Sequence, residues 1–508
     1  MPTEPGVGCA VLRREITMPY RTQRGRLERA SSIGHVPIVE NELVQERLRE
    51  YRIHANQVDV EIDERLVHDA DSLGASSREV RWVLSFDGSQ QEVAAREEYP
   101  STRIGYVQVA GVLVDVASML SQTDDRFVDP RVVRDATEEA LHSMVLPGSN
   151  VCRPDMPTVR ESWRAEIYDI FCGYSVEGIS LLDIFMVLVR HSDKQSQTGG
   201  IILARCPSSN DCAARDFDVP TGGGTCPECG ARVFPTDALR IHEEVSDEHG
   251  NATALGRLMT VLEQITMVGY IHFLSNRQPR ALAHACFVLD GPLALFGPQA
   301  WLHVPIRTFL AEVSAALAQR QIPEVLLLGI EKSGQFGEHG HAISDRIENR
   351  QLMVLPDDYI YRHILTFRSS PNTAFGRDTY YGQKFYYKTA QGHLLTLTIP
   401  QVTGEVDDRH SVAHYPFLPE VLSSRSDRHK PVRGRRDSRR VGPFIRIDSA
   451  SDRVESADPV GAARVGVRLN SFQSPLASSS RFLISSTIGL AASIRLCIDA
   501  ASYCLGSP

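Results

Sequence analysis

The spacing of apolar and polar positions changes several times along the chain. Between residues 37 and 70, Leu43, Leu48, Val58, Ile62 and Leu66 recur at helical spacing among Glu and Arg, which predicts one or two amphipathic helices. At 80–87 the pattern changes to VRWVLSFD and at 103–116 to RIGYVQVAGVLVDV; both read as strands that could pair as neighbours. Helices are expected over 131–146 and 161–191, then a polar, Gly-rich, Cys-bearing stretch over 192–235, then helices at 236–248 and 253–274. ACFVLD (285–290), a helix near 299–319 and EVLLLGI (324–330) form a strand–helix–strand run, which argues for an α/β core with parallel neighbours. Residues 359–399, ending in FYYKTAQGHLLTLTI, read as a strand hairpin, and no internal repeat interrupts the series.

Composition adds a charge asymmetry to this picture. The 508 residues amount to roughly two to four domain equivalents, and 42% hydrophobic content suffices for a buried core. Residues 425–508 hold thirteen Arg and one Lys against seven Asp and Glu, a net of +7, so of the total −9 the first 424 residues carry −16. A chain coated with basic residues to grip nucleic acid is therefore excluded for everything before the tail. The first twenty residues do not read as a secretory signal, and the longest apolar stretch, 482–494, is too short to span a membrane and is flanked by Arg481 and Arg495. Ten cysteines in a chain this long are not a disulfide scaffold, so a reducing cytoplasm is expected. No Gly-Lys pair occurs, hence no Walker A loop; if the protein works with ATP, another chain supplies the motor.

Three strand ends carry acids: Asp87 before Gly88-Ser89, Asp290 before Gly291-Pro292, and Glu331 followed by Lys332. Strand-terminal carboxylates that converge repel one another unless a cation sits between them, and hard oxygen ligands suit Mg²⁺ or Mn²⁺. Two such ions can activate water and stabilise a leaving oxygen in phosphodiester cleavage. Each Asp-Gly is also the commonest hairpin-turn signal, so a plain turn competes with this reading. Glu263 is the sole Asp, Glu, Lys or Arg between Arg257 and Arg277 and shares a helical stripe with Met259, Met267 and Tyr270. If buried, such a carboxylate is paired, protonated or bound to metal; otherwise that face meets solvent or an Arg. Lys332 could stabilise transition-state charge, neutralise the acids, or face solvent.

Cys206, Cys212, Cys226 and Cys229 stand as C-x5-C, thirteen residues, then C-x2-C, the spacing of a four-thiolate Zn²⁺ knuckle. Four thiolates leave no open position, so the zinc is expected to be structural. A redox CxxC is the competing reading. His242-Glu243 begins like a zinc-protease helix, but Ser246 takes the place of the second His. His339 and His341 are expected in a Gly-rich loop after Lys332.

FDGS (86–89), the helix with Glu263, VLDGPL (288–293), GIEKSG (329–334) and YYGQKFYYKTAQGH (380–393) follow the order of the NurA nucleases, and the similarity spans about 80 to 420. The resemblance implies an α/β fold with an RNase H-like mixed sheet flanked by helices. It implies a Mn²⁺- or Mg²⁺-dependent DNA nuclease, acting as a single-strand endonuclease and 5′–3′ exonuclease. It further implies DNA, single-stranded or at duplex ends, as substrate, a homodimer, and docking on a HerA-type hexameric ATPase in end resection, repair or phage defence. By position, Asp87 and Asp290 match the family's metal-binding aspartates. Glu263 is the choice for the acid between them, with Glu243 and Glu244 as fallbacks. The expected organisation is a helical segment over 1–75, a nuclease core in two parts over 76–199 and 236–424, and a zinc-ribbon insertion over 200–235. After HYPFLPEVLSS (414–424) the resemblance fades; the Arg- and Ser-rich 425–508 fits either translation out of frame or a basic tail that contacts phosphates. Two other readings compete: a non-catalytic zinc-ribbon module that binds DNA or a partner, and an RNase H-like nuclease acting on RNA.

Overall fold

The computed structural model describes residues 41–50, 62–73, 78–116, 137–365 and 374–400. Val58, the 401–424 segment and the basic tail lie outside the described residues. The chain divides into two compact units, Met1–Gln57 and Val58–Pro508. In the first unit the described residues form one helix, α1 (Glu42–Glu50).

The second unit is built on one nine-stranded mixed sheet. Its strands are β1 (Val67–Asp69), β2 (Trp82–Arg96), β3 (Tyr99–Asp115), β4 (Thr137–Pro147), β5 (Ala285–Asp290), β6 (Leu326–Glu331), β7 (Gln351–Val354), β8 (Gly382–Lys388) and β9 (Leu394–Pro400). In space they run β1-β7-β8-β9-β6-β5-β2-β3-β4. β5 is parallel to both β2 and β6, and the remaining pairs are antiparallel. This is the helix-flanked mixed sheet that the resemblance implied. β5 and β6 are buried almost throughout, as befits central strands covered on both faces. β3 instead alternates, with Val107 and Val109 buried and Tyr106 exposed, so one of its faces is open.

The covered face of β2 and β3 packs against α4 (Ala252–Arg277), and α4 in turn packs on α3 (Leu181–Val189) and α5 (His303–Ala318), with α2 (Val159–Gly173) against α3 and β4. Phe86, Val109, Trp163, Phe185, Leu262 and Phe287 belong to the resulting core. Thr158 and Ser180 cap α2 and α3 by accepting from the amides of Glu161 and Asp183. A second cluster, with Phe336, Met353 and Tyr386, forms where α6 (Gln335–Ile343) meets β9. Among the described residues no helix is long and apolar enough to cross a membrane.

Several elements differ from the sequence expectation. The strand expected over 80–87 continues through Asp87-Gly88 to Arg96, so this Asp-Gly is not a turn and Asp87 is not at a strand end. Residues 137–147 form a strand rather than a helix: Glu and Ala favour helix locally, but His142, Met144 and Leu146 are buried while Leu141, Ser143 and Val145 are exposed, a period of two that pairing with β3 enforces. The helix expected over 161–191 breaks into α2 and α3 around a hairpin (Ser175–Val176 with Ile179–Ser180) that turns on Glu177 and Gly178, both at positive φ. In place of a helix at 236–248 the chain makes two 3₁₀ turns, Pro235–Leu239 and Ile241–Glu244, joined by Arg240 in the left-handed region.

Those turns carry a buried ion pair. Arg164, 1% exposed, donates from Nε and Nη2 to the two oxygens of Asp237 at 2.9 and 2.8 Å, and from Nη2 to the carbonyl of Arg232 at 2.6 Å. Asp237 also accepts from the Phe234 amide. Arg164 also reaches Glu161 through Nη1, so removing Asp237 leaves the buried guanidinium with one carboxylate in place of two and without its bidentate contact. Asp237→Ala is expected to destabilise the protein by about 3–5 kcal/mol, and Arg164→Met with Asp237→Leu to recover much of it, as read by urea denaturation.

Candidate active site and cysteine centre

The parallel register sets Phe86 of β2 beside Leu289 of β5, so the next residues, Asp87 and Asp290, come side by side. β5 ends at Asp290, where Gly291 takes a φ of +133° that a side chain would strain. Asp290 in turn registers with Ile330 of β6, and Lys332 just beyond that strand places Nζ 2.6 Å from Asp290 Oδ2.

Glu263 enters from α4 and is 5% exposed. Solvent is therefore excluded as its partner. Its carboxylate lies against Gly88: a Cβ at that position would stand 2.6 Å from Glu263 Oε1 and 2.6 Å from Met259 Cγ. A glycine is what lets the helix approach the strand and the carboxylate reach Asp87.

The electrostatics follow from crowding three acids in a dry place. Burial, then the Asp290 carboxylate, pushes Asp87 up to about 6 against the pull of Lys332 and the Gly88 amide. Burial, then Asp87 and Asp290, raises Glu263 well above the carboxylate range. Two acids held above their usual range by desolvation and by each other form a site that favours added positive charge. Their oxygens, as hard donors, fit Mg²⁺ or Mn²⁺. The three do not all come within 4.8 Å of one another; among the described residues that spacing is met by the cysteines alone. In this arrangement Lys332 supplies the positive charge at Asp290.

Beside Lys332 opens a cleft of about 660 Å³, lined by Ser333, His341, His393 and Thr396 among others. His339 and His341 lie on α6 rather than in a loop, and His339 Nε2 sits 2.9 Å from the Tyr359 hydroxyl. Glu243 is held by Arg205 and Arg240, which pull it down to about 2 against burial, and Glu244 lies against Arg257. Neither fallback joins the acid cluster. Burial lowers His242 to about 4, which suits a neutral core imidazole.

Two partnerships went unread in the sequence. Glu331 pairs with the buried Lys384 of β8, whose ammonium also lies 4.0 Å from the Phe336 ring centroid. Gln264, next to Glu263 on α4, accepts from the Tyr381 hydroxyl. Lys384, set just before the apolar FYY of the strand, was the available signal for the first; nothing in the sequence marked the second.

The four cysteines gather at the tips of the small hairpins (Ile201–Arg205 with Arg215–Val219, and Gly224–Thr225 with Arg232–Val233). All four Sγ lie within 4.8 Å of one another, with Cys206–Cys229 and Cys212–Cys226 at 3.6 Å. Tetrahedral Zn²⁺ with Zn–S near 2.3 Å requires S–S separations of about 3.8 Å, so the cage is of zinc size. Without a cation the thiols diverge: against burial, the amides of Cys229 and Glu228 and the neighbouring thiols hold Cys226 down to about 7, while burial raises Cys206 to about 12 and Cys212 is also raised.

A family model described as the NurA domain matches residues 83–376. The crystal structure of the NurA nuclease from Sulfolobus solfataricus aligns with 76% of this chain and 85% of that chain, at 9% identity and a TM-score of 0.26. No curated protein matches the chain. The NurA-domain match covers more than half of the 508 residues and takes in Asp87, the four cysteines, Glu263, Asp290 and Lys332. The chain belongs to the NurA family of nucleases.

Proposed function

We propose that the protein is a divalent-metal-dependent DNA nuclease whose working groups are Asp87, Glu263, Asp290 and Lys332. The observation that carries this reading is the desolvated Glu263 carboxylate facing Asp87 and Asp290, an arrangement that is costly for a purely structural role. Mn²⁺ or Mg²⁺ held by these acids would supply an activated water and charge stabilisation for the departing 3′ oxygen. The protein's own part is to fix the carboxylates. β2 and β5 hold Asp87 and Asp290 in register, and α4 holds Glu263 from the core side. Lys332 would move from Asp290 to the scissile phosphate, where its ammonium offsets developing charge. The cleft of about 660 Å³ beside it is the open space next to Lys332 into which the strand would pass.

In this reading the substrate is DNA, single-stranded or at duplex ends, cut by endonuclease and 5′–3′ exonuclease action. A homodimer docked on a HerA-type hexameric ATPase would feed it, in end resection, repair or phage defence. The organisation is a lead-in over 1–75, whose Val67–Asp69 adds an edge strand to the sheet, and a nuclease core over 76–199 and 236–424 interrupted by a Zn²⁺-stapled insertion over 200–235.

With Mn²⁺ and labelled single-stranded DNA, Asp87→Asn and Glu263→Gln should each cut on the order of a thousandfold more slowly than the unaltered protein. Cleavage by Asp87→Asn at the original rate would remove this site from the mechanism. Without metal, the folded state keeps the Asp87 proton between the ordinary 3.8 and about 6, where the unfolded chain has lost it. Stability of the metal-free protein should therefore fall as pH rises through that window, and Asp87→Asn or added Mn²⁺ should flatten the fall. Metal analysis should find one zinc per chain, lost in Cys226→Ser, and chelation should lower the melting temperature.

A further inference from the structure

On the outer side of α4, one turn from Glu263, lies a second cavity of about 320 Å³, lined by Thr253, Arg257, Met259, Thr260, Phe296 and Gln299 among others. Met259 separates it from the acids, since the same residue touches the Gly88 position that Glu263 fills. Four residues of helix put the two sites about 6 Å apart along the axis.

The residue that makes this cavity unusual is Gln299. It is 1% exposed, yet neither its Oε1 nor its Nε2 has a hydrogen-bond partner among the described residues. A buried primary amide with its acceptor and donors all unmet is a costly group to keep, and an apolar residue of the same shape would be cheaper. The adjoining groups are as specific. Phe296 is 40% exposed, with its ring edge-on to Tyr380 at 5.7 Å, which leaves a ring surface open. Arg257 lies beside the amide: a Cβ on Gly297, which sits at a φ of +77°, would be 3.2 Å from both Arg257 Cζ and Gln299 Oε1. Its guanidinium is loosely held, with Nε 3.4 Å from Glu244 Oε1 and no hydrogen-bond partner at that nitrogen among the described residues.

An amide that offers one donor beside one acceptor, an exposed aromatic ring and a movable cation are the three groups that hold an unstacked nucleobase and its phosphate. We infer that this cavity receives one unpaired base of the DNA strand. The base stacks on Phe296 and meets the Gln299 amide with its Watson–Crick edge, while Arg257 turns outward to the adjacent phosphate. Every base presents a neighbouring donor and acceptor on that edge, so the cavity reads whether a base is unpaired rather than which base it is. A duplex hides that edge, and the pocket gives the enzyme a way to sense single-strandedness next to the bond it cuts. The inference deepens the nuclease reading and rests on it for its meaning, although binding can be measured without cleavage.

The experiment uses the full chain in two arms. In the first, fluorescein-labelled single-stranded oligonucleotides are bound without added Mn²⁺ or Mg²⁺, so that the zinc stays in place. Gln299→Leu and Phe296→Ala should each weaken binding on the order of tenfold, as loss of a stacked or hydrogen-bonded base does. Gln299→Leu should at the same time raise the melting temperature, because it removes unpaired buried polar atoms. That result separates lost binding from lost folding. In the second arm, a single abasic site is walked along the strand with Mn²⁺ present. Cutting should fall at one register relative to the abasic position, and that dependence should vanish in Gln299→Leu. Equal affinity of both variants and the unaltered protein, or abasic sites tolerated at every register, would overturn the pocket. Failure of the unaltered protein to cut any strand would instead remove the nuclease reading, and the binding arm would still decide the pocket.

Discussion

The burial of the Glu263 carboxylate is the constraint around which the sheet and helices of this protein are arranged. Taking a carboxylate out of water costs several kcal/mol, a large share of the stability of an ordinary domain. Here the cost rises further because Asp87 and Asp290 are close enough to act on the same charge. Features near the site answer that cost. Position 88 has no side chain, the Gly88 amide acts on both Glu263 and Asp87, and Lys332 sits on Asp290. The rest of α4 contributes apolar residues to the main core of the described residues, which offsets the one charged residue it places inside.

Much of this was legible where a single local signal ruled. The apolar runs of β5 and β6 and their helical connection read directly as a parallel pair, and the FYYKTAQGH run read as the β8–β9 hairpin. The cysteine spacing brought its four thiols together as expected. Signals failed where tertiary pairing overrode them. β4 carries helix-forming Glu and Ala but has a neighbour in β3 that demands extended backbone. Asp87-Gly88 has turn chemistry, yet a glycine there serves packing against α4 instead of reversing the chain. The 3₁₀ turns after the cysteines follow from the Asp237–Arg164 pair, a contact between segments that no local window includes.

The acid cluster itself was legible as three acidic residues at three apolar segments, because each carboxylate stands out against its surroundings. Its second layer was not. Gln264 and Tyr381, or Glu331 and Lys384, announce themselves only once β8 and β9 are laid beside β6. The cysteine insertion is likewise less separate than its spacing suggested. Cys206, Cys212 and Cys226 belong to the main core, and Arg164 bonds both to the Arg232 carbonyl of the insertion and to Asp237 beyond it. It folds as part of the body it interrupts.

The absent side chain at position 88 has a consequence for how this protein can vary. A methyl group there would meet both Glu263 and Met259. A change at 88 would therefore have to be matched by a shorter residue at 259, a displaced acid at 263, or a shift of the whole helix. Position 88 and two positions one helical turn apart, 259 and 263, form one correlated set. Their joint variation among relatives, rather than the acids alone, would mark where helix and strand must keep their distance.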